Sequence, residues 1–354
     1  LTCDWSSDVC SSDLPRREYA SIIADLYSRN AGLVVFSVYM PDADRFGGDA
    51  ALASTLKKYP VVLPHIATHE KSEKNYEPFR PGVSIIGEGD VGINYGTIQP
   101  NIKALNDAAA GVGIVNVLPE IDGVNRRLPL FVGYNGGVYP SLPLEVLRVV
   151  SGDSTFQLKL NENGVEKMRI PSFRPITTDS VGRIWVDWSQ KSNSVSAVNL
   201  PKDFNKAIVI VGVSAAGLGN PVPTALGPVF PQDIQASVIG TLVNGVNIQR
   251  PDWASGAELI ALVLLGIISI ILTRWTYGFI PFILLIGGLY FCSRLCFQRY
   301  ALLLDCTIPM LGLGLCYVHA YTVKFITEFN QKQQIKKQFG TYLSPDMVER
   351  LQKK

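Results

Sequence analysis

Hydrophobic residues form three long runs near the C-terminal end of the chain. The runs cover residues 254–273, 277–295 and 301–323. Each is close to the roughly 20 apolar residues that a helix needs to cross a bilayer, at about 1.5 Å per residue. Arg, Trp and Tyr residues flank the runs, as they do at membrane–water interfaces. The pattern predicts three transmembrane helices over residues 254–323.

The basic residues after the third run predict the orientation of these helices. They are Lys324, Lys332, Lys336, Lys337, Arg350, Lys353 and Lys354. Because basic residues are enriched in cytoplasmic segments, we expect the C-terminus inside and, after three crossings, residues 15–253 outside. Arg274 agrees with this orientation, whereas Arg294 and Arg299 oppose it.

Shorter apolar patterns alternate over residues 15–253. Apolar positions at helical spacing predict helices at 16–29, 49–58, 101–110, 142–150 and 232–243. Continuous apolar stretches predict strands at 33–36, 61–63, 112–118, 128–134 and 207–213. This alternation is typical of βαβ units, so we predict one α/β domain with a mostly parallel sheet and the strand at 207–213 near its centre. A juxtamembrane helix is expected at 324–338, after the membrane helices.

The two ends of the chain differ from the regions beside them. Residues 1–14 read like an in-frame translation of a sequencing adapter, and we leave them out of the fold prediction. Near the other end, Ser344 can cap a helix, Pro345 suits its first position and Asp346 suits its positive end. We therefore expect a new helix to begin at Ser344.

Composition excludes some classes of protein and leaves others open. The 354 residues carry a formal net charge of +2, which lacks the strong positive charge typical of nucleic-acid-binding proteins. Charged residues make up 18% of the chain, and mean hydropathy is +0.19. Of the six cysteines, Cys3 and Cys10 lie in the adapter-like segment and the other four lie in the apolar C-terminal region, so residues 15–253 have none with which to form a disulfide.

Two pairs of residues are candidates for ligand binding. Arg126 and Arg127 follow an Asp122-Gly123 turn and could hold an anion, although a hairpin in which an arginine pairs with a carboxylate is the favoured alternative. Trp185 and Trp188 are expected on one strand, facing the same side, where they could line a pocket or simply pack in the core.

Metal binding and catalysis find little support in the residues. His65 and His69, with Glu70, could offer metal ligands, but solvated loop histidines are the expected reading and we predict no metal site. We find no catalytic constellation and expect no cofactor for this part of the chain.

Several segments in a fixed order resemble the second type of CHASE domain (CHASE2), the extracytoplasmic sensor of bacterial cyclases and kinases. They include Leu33-Val34-Val35-Phe36, residues 49–53, residues 115–130, Val138-Tyr139-Pro140-Ser141 and residues 208–212. The chain departs from the family where Ser37 replaces a frequent Asp, and where Asp233-Ile234-Gln235-Ala236 replaces a frequent Glu-Ile-His-Ala.

The segment after residue 338 is similar to the connector that precedes class III adenylate/guanylate cyclase domains. The connector residues are Phe339, Gly340, Tyr342, Leu343, Ser344 and Pro345. The resemblance implies that residues 324–354 are a cytoplasmic connector that transmits signals to a cyclase absent from this chain, which would convert ATP to cyclic AMP with Mg²⁺ or Mn²⁺. It also implies a multi-pass protein of the bacterial inner membrane, with membrane lipid, a second copy of the chain and an unknown extracytoplasmic ligand as partners.

Two other functions stay open from the sequence. A histidine or serine/threonine kinase could replace the cyclase, although the histidine nearest the C-terminus, His319, lies inside the third apolar run. A non-signalling membrane enzyme is the other alternative, and the scarcity of His, Cys and clustered carboxylates in residues 15–253 argues against it.

Overall fold

The computed structural model describes residues 2–3, 14–71, 82–189, 192–214, 220–251, 253–275 and 277–342. The chain divides into two compact units, which we call the α/β unit (Leu1–Ile248) and the helical unit (Gln249–Lys354).

The strands, in chain order, are β1 (Thr2–Cys3), β2 (Leu33–Phe36), β3 (Val61–Thr68), β4 (Gly82–Ile86), β5 (Thr97–Gln99), β6 (Gly111–Ile114), β7 (Arg127–Pro129), β8 (Phe131–Tyr134), β9 (Gly137–Pro140), β10 (Thr155–Asn161), β11 (Gly164–Arg169), β12 (Arg183–Trp185), β13 (Ile208–Val213), β14 (Val222–Thr224) and β15 (Gly227–Val229). The helices are α1 (Arg16–Ser28), α2 (Asp49–Lys58), α3 (Lys103–Asn106), α4 (Leu142–Ser151), α5 (Pro231–Asn244), α6 (Trp253–Leu272), α7 (Phe279–Tyr300) and α8 (Thr307–Tyr342).

The main sheet has the order β1-β13-β2-β3-β5, and β6 also pairs with β3. Strands β13, β2, β3 and β6 run parallel, and β5 runs antiparallel to β3. The structure thus confirms a mostly parallel sheet. The prediction that strand 207–213 is central is wrong, because only the two-residue β1 lies beyond β13. All four residues of β2 are buried, whereas Ile208 and Ile210 of β13 are only partly buried.

Helices cover both faces of this sheet, because β2 alternates its side chains between them. Val34 and Phe36 pack with residues of α1, α2 and α3, whereas Leu33 and Val35 pack with residues of α4 and α5. Both faces are therefore closed, as expected for a parallel sheet.

A second core lies around a small sheet in which β10 pairs with β11 and β4. In β10, Phe156, Leu158 and Leu160 are buried, whereas the residues between them are exposed. Their partners include Ile234 and Val238 of α5, so α5 contributes to this core and to the main sheet. These strands were not predicted from the sequence, although the alternation of apolar and polar residues in β10 was readable.

Two predicted elements of the α/β unit are shorter or divided. The helix predicted at 101–110 is reduced to α3, since the Asn101 amide donates to the carbonyl of Pro64 (2.7 Å) and the Asn106 amide donates to that of Asn101 (3.1 Å). The strand predicted at 128–134 is divided at Leu130, because β7 pairs with β12 and β8 pairs with β9.

In the helical unit, two described helices, α6 and α7, are long and apolar enough to cross a membrane. The third predicted span and the juxtamembrane helix are joined in α8, which has 36 residues and begins at Thr307 instead of Ala301. The Asp305 carboxylate accepts a hydrogen bond from the backbone N–H of Thr307 (2.8 Å) and so marks this start. The first half of α8 is apolar and its second half is charged. A third membrane crossing therefore stays a prediction.

Candidate functional site

Arg126 belongs to a tight, ion-paired turn. The turn is closed by a hydrogen bond from the N–H of Gly123 to the carbonyl of Glu120 (2.8 Å), and Gly123 has a φ of 78°, which favours glycine. Two nitrogens of Arg126 donate to the two carboxylate oxygens of Asp122, at 3.0 and 2.7 Å. This contact, with the N–H of Val124, lowers the pKa of Asp122 to about 2. The turn is confirmed, but the flanking strands do not form a hairpin, since β7 pairs with β12.

Arg127 links this turn to the next strand pair. Its Nε donates to Glu120 (2.8 Å), and a terminal nitrogen donates to Asp179 (3.2 Å). The guanidinium lies over the ring of Trp185, 4.9 Å from its centroid. Asp179 also accepts a bond from Nε of Arg183 (2.8 Å). Both predicted arginines are thus engaged by carboxylates, and anion binding by them stays a prediction.

The two predicted tryptophans do not share one face of a strand. Strand β12 ends at Trp185, and residues three apart on a strand would point to opposite faces, so that prediction was wrong. Trp185 borders a cavity of about 140 Å³ at the C-terminal end of α5. Trp188 packs against the second core, and its indole N–H is buried without a hydrogen-bond partner among the described residues.

His65 is not the solvated loop residue that we expected. It lies on β3, is 2% exposed, and its Nε2 is 3.2 Å from Oδ1 of Asn106. Burial lowers the pKa of His65 to about 4, against the opposing effect of this hydrogen bond. His69 is exposed and stacks on Tyr95. Among the described residues no group of His, Cys, Asp or Glu is arranged to hold a metal ion.

A larger cavity, of about 390 Å³, lies between β13, the first turns of α5 and the segment before β13. Such a volume is within the range of small-molecule sites, whereas the cavity beside Trp185 is below it. Gln232, Asp233 and Ala236 border it from α5. This site was not predicted from the sequence. The nearest signal was the departure from the family at residues 233–236.

The predicted connector lies at the C-terminal end of the described residues, which stop at Tyr342. Phe339, Gly340 and Tyr342 are in the last turns of α8, and their side chains are outside the described set. Leu343, Ser344 and Pro345, with the helix start expected at Ser344, lie outside the described residues.

The chain was compared with protein families, curated proteins and solved structures. The family model of the CHASE2 domain matches residues 6–271. No curated protein and no solved structure matches the chain. CHASE2 domains are extracellular sensor domains of signalling receptors. Because the match covers more than half of the 354 residues, the chain belongs to the CHASE2 domain family.

Proposed function

We propose that the chain is the sensory and transmembrane part of a bacterial signalling receptor of the inner membrane. The α/β unit lies outside, and the C-terminus lies in the cytoplasm. The observation that carries this proposal is the order of the parts. The CHASE2 match over residues 6–271 takes in nearly all of α6, the first of two helices apolar enough to span a bilayer, and the second, α7, follows the match along the chain.

The third crossing is assigned to the first half of α8. A helix of 36 residues extends about 54 Å, well beyond the roughly 30 Å of a hydrocarbon core. Large apolar side chains stand exposed along the first half, as lipid contact requires: Ile308, Leu311, Leu315 and Val318. The second half carries Lys324, Lys332, Lys336 and Lys337, which suits cytoplasm. One continuous helix would carry motion from the bilayer to the C-terminal side.

The cytoplasmic half of α8 supports a dimer of two copies of the chain. Phe325, Phe329 and Ile335 are 62%, 52% and 52% exposed, and the two phenylalanine rings stack with centroids 6.4 Å apart. Apolar groups exposed on a segment in water favour a partner helix. Cross-linking of the full chain should therefore give a dimer that Phe329→Lys weakens. A chain that stays monomeric before this substitution would contradict the proposal.

The output domain is proposed to be a class III adenylate/guanylate cyclase that makes cyclic AMP from ATP with Mg²⁺ or Mn²⁺. The resemblance of residues 339–345 to a cyclase connector supports this choice over a histidine or serine/threonine kinase. The test is to sequence the source DNA beyond the Lys354 codon and express the extended gene in a cyclase-deficient bacterium. We expect cyclic AMP from the extended gene and none from the present chain. A kinase domain at that position would refute the cyclase.

The connector can be tested in the same extended protein. Removing the Ser344 hydroxyl would cost about 1 kcal/mol of helix stability if this residue caps a helix. We expect Ser344→Ala and Tyr342→Ala to alter cyclic nucleotide output per receptor, with Thr341→Ala as the neighbouring control. Unchanged basal and stimulated output in both variants would show that the segment only links the membrane helices to the output domain and does not transmit the signal.

A further inference from the structure

The cavity beside β13 has a size that suits a small ligand and is bordered by several polar residues. Its volume is about 390 Å³, enough for a small organic molecule. The residues that border it come from three segments: Ser192, Asn193, Ser194, Val195, Pro201, Asp203, Phe204, Ala207, Ile208, Val209, Ile210, Gln232, Asp233 and Ala236.

Gln232 gives the first reason to place a ligand here. Its side chain is 4% exposed, and its Nε2 has no hydrogen-bond partner among the described residues. The side chain is held against Gly212, where an added Cβ would come within 2.6 Å of the Gln232 Cβ. A fixed, buried and unpaired amide is unfavourable, so a molecule that supplies an acceptor there would gain affinity.

The charges around the cavity exclude one class of ligand. Its charged border among the described residues is acidic, formed by Asp203 and Asp233. Asp203 accepts bonds from the N–H of Asn205 (2.8 Å) and the amide of Asn30 (3.1 Å), which lower the pKa of this carboxyl. An anion would therefore be repelled.

The same carboxylates do not require a cationic ligand. Asp203 has the two donors described above, and Asp233 accepts a bond from the Ser192 hydroxyl (3.3 Å) in the first turn of α5, where a negative charge is favourable. Both can still accept a hydrogen bond, because a carboxylate has about four acceptor positions. The cavity thus offers carboxylate acceptors and an amide donor, and neutral hydrogen-bond donors already stabilise both carboxylates.

Part of the cavity lining is apolar and includes Phe204, Ile208 and Ile210. A hydroxyl group both accepts and donates hydrogen bonds, so neighbouring hydroxyls on one small ring can satisfy an amide donor and a carboxylate acceptor together. The C–H face of such a ring would lie on this apolar part of the lining.

We propose that this cavity binds an uncharged polyhydroxylated molecule of monosaccharide size, with one hydroxyl accepting from Gln232 and another donating to Asp233. The proposal rests on the sensory role proposed above and names the class of molecule that is sensed. It does not involve Arg126 or Arg127.

The test is isothermal titration calorimetry on the full chain in lipid nanodiscs prepared without glycoside detergent. The probes are glucose, galactose, mannose, ribose and myo-inositol, with putrescine and citrate as charged comparisons. We expect saturable binding of at least one neutral probe. Gln232→Leu should weaken it about tenfold, the value of one good hydrogen bond. Gln235→Leu is the matched control, because Gln235 is buried on the same helix but does not border the cavity.

Three results would overturn the proposal: no saturable binding of a neutral probe, binding of putrescine or citrate alone, or equal binding by the Gln232→Leu variant. Circular dichroism establishes that each variant is folded. If Gln232→Leu fails to fold, Ala236→Phe fills the cavity instead and should abolish binding.

A separate measurement of membrane topology distinguishes the ligand proposal from the receptor proposal. If the α/β unit lies outside the cell but binds no polyol, only the proposed class of ligand is refuted. If the chain binds a polyol but the α/β unit lies inside the cell, the proposed role as a receptor for external signals is refuted.

Discussion

The α/β unit and the helical unit place the same apolar residue types in opposite positions. All four residues of β2 are buried, whereas α7 has no buried residue among its 22. Mean hydropathy reaches 2.4 in α6 and 1.8 in α7. The α/β unit therefore gains stability by removing apolar surface from water, whereas α6 and α7 leave most of that surface exposed, as expected for helices that contact lipid.

Buried polar groups show the same contrast. In the α/β unit some of them join elements distant in sequence, as Asn101 does when its side-chain amide donates to the carbonyl of Pro64 on β3 (2.7 Å). In α6, Ser269 and the following Thr273 donate to carbonyls three residues earlier, each at 2.7 Å. Local satisfaction of polar groups is what a helix in lipid requires. The two units should therefore respond differently to matched substitutions.

The largest effect is expected at the buried ion pair of the α/β unit. Glu145 is fully buried, and Arg148 donates to its carboxylate through bonds of 2.6 and 2.9 Å and to the carbonyl of Asp153 (2.7 Å). Glu145→Ala leaves the guanidinium without its charge partner and should cost about 3–5 kcal/mol of unfolding free energy. Urea unfolding of the full chain, followed by near-ultraviolet circular dichroism, measures this loss. Glu166→Ala, which breaks the exposed pair with Lys159, is the control and should change little. Equal losses in the two variants would contradict the account.

A pair of leucine substitutions compares a leucine buried in the protein core with one on the exposed face of an apolar helix. Leu26 is fully buried between α1 and the main sheet, so Leu26→Ala should cost about 2–5 kcal/mol. Leu264 on α6 is 56% exposed, and Leu264→Ala should have little effect on the stability of the chain in nanodiscs. The same denaturation experiment reports both. A large loss at Leu264 would show that this face of α6 packs against protein.

His65 makes the stability of the α/β unit depend on pH. Its pKa is about 4 in the folded chain, below the ordinary value of 6.5, so the unfolded chain binds more protons between these values. Stability should fall as pH drops from 6.5 to 4, by on the order of 3 kcal/mol. His65→Gln should remove this part of the pH dependence, whereas His69→Gln at an exposed site should keep it. Parallel curves for the wild type and His65→Gln would show that His65 does not contribute.

Much of the fold was readable because local patterns agreed with tertiary packing. Strand Leu33–Phe36 and helix Asp49–Lys58 have the predicted bounds, since a continuous apolar run and a clear helical spacing leave few alternatives. The parallel sheet followed from their order. The position of β13 within the sheet did not, because an apolar stretch of six residues looks the same at a sheet edge as at its centre.

The rest depended on contacts distant in sequence. The local sequence gives no sign that the strand predicted at 128–134 is divided at Leu130. The N–H of Leu130 donates to the carbonyl of Gly182, and its carbonyl accepts from the N–H of Ser141. The burial of His65 depends on β6 and Asn106, which lie more than forty residues later in the chain. The cavity at α5 was missed for the same reason, since its walls meet only after β13 and α5 pack together. The candidate arginines were visible as charges, but Asp179, which pairs with Arg127 from fifty-two residues later in the chain, was not.

The orientation of the two units across the membrane is the central claim, and labelling of single cysteines tests it most directly. In a chain whose six native cysteines are replaced by alanine, Asn163→Cys lies in the exposed turn between β10 and β11, and Lys332→Cys lies on the exposed charged half of α8. A membrane-impermeant maleimide is applied to spheroplasts before and after lysis. The account predicts that Asn163→Cys is labelled before lysis and Lys332→Cys only afterwards. Labelling of both positions before lysis, or of neither, would mean an even number of crossings and would contradict it.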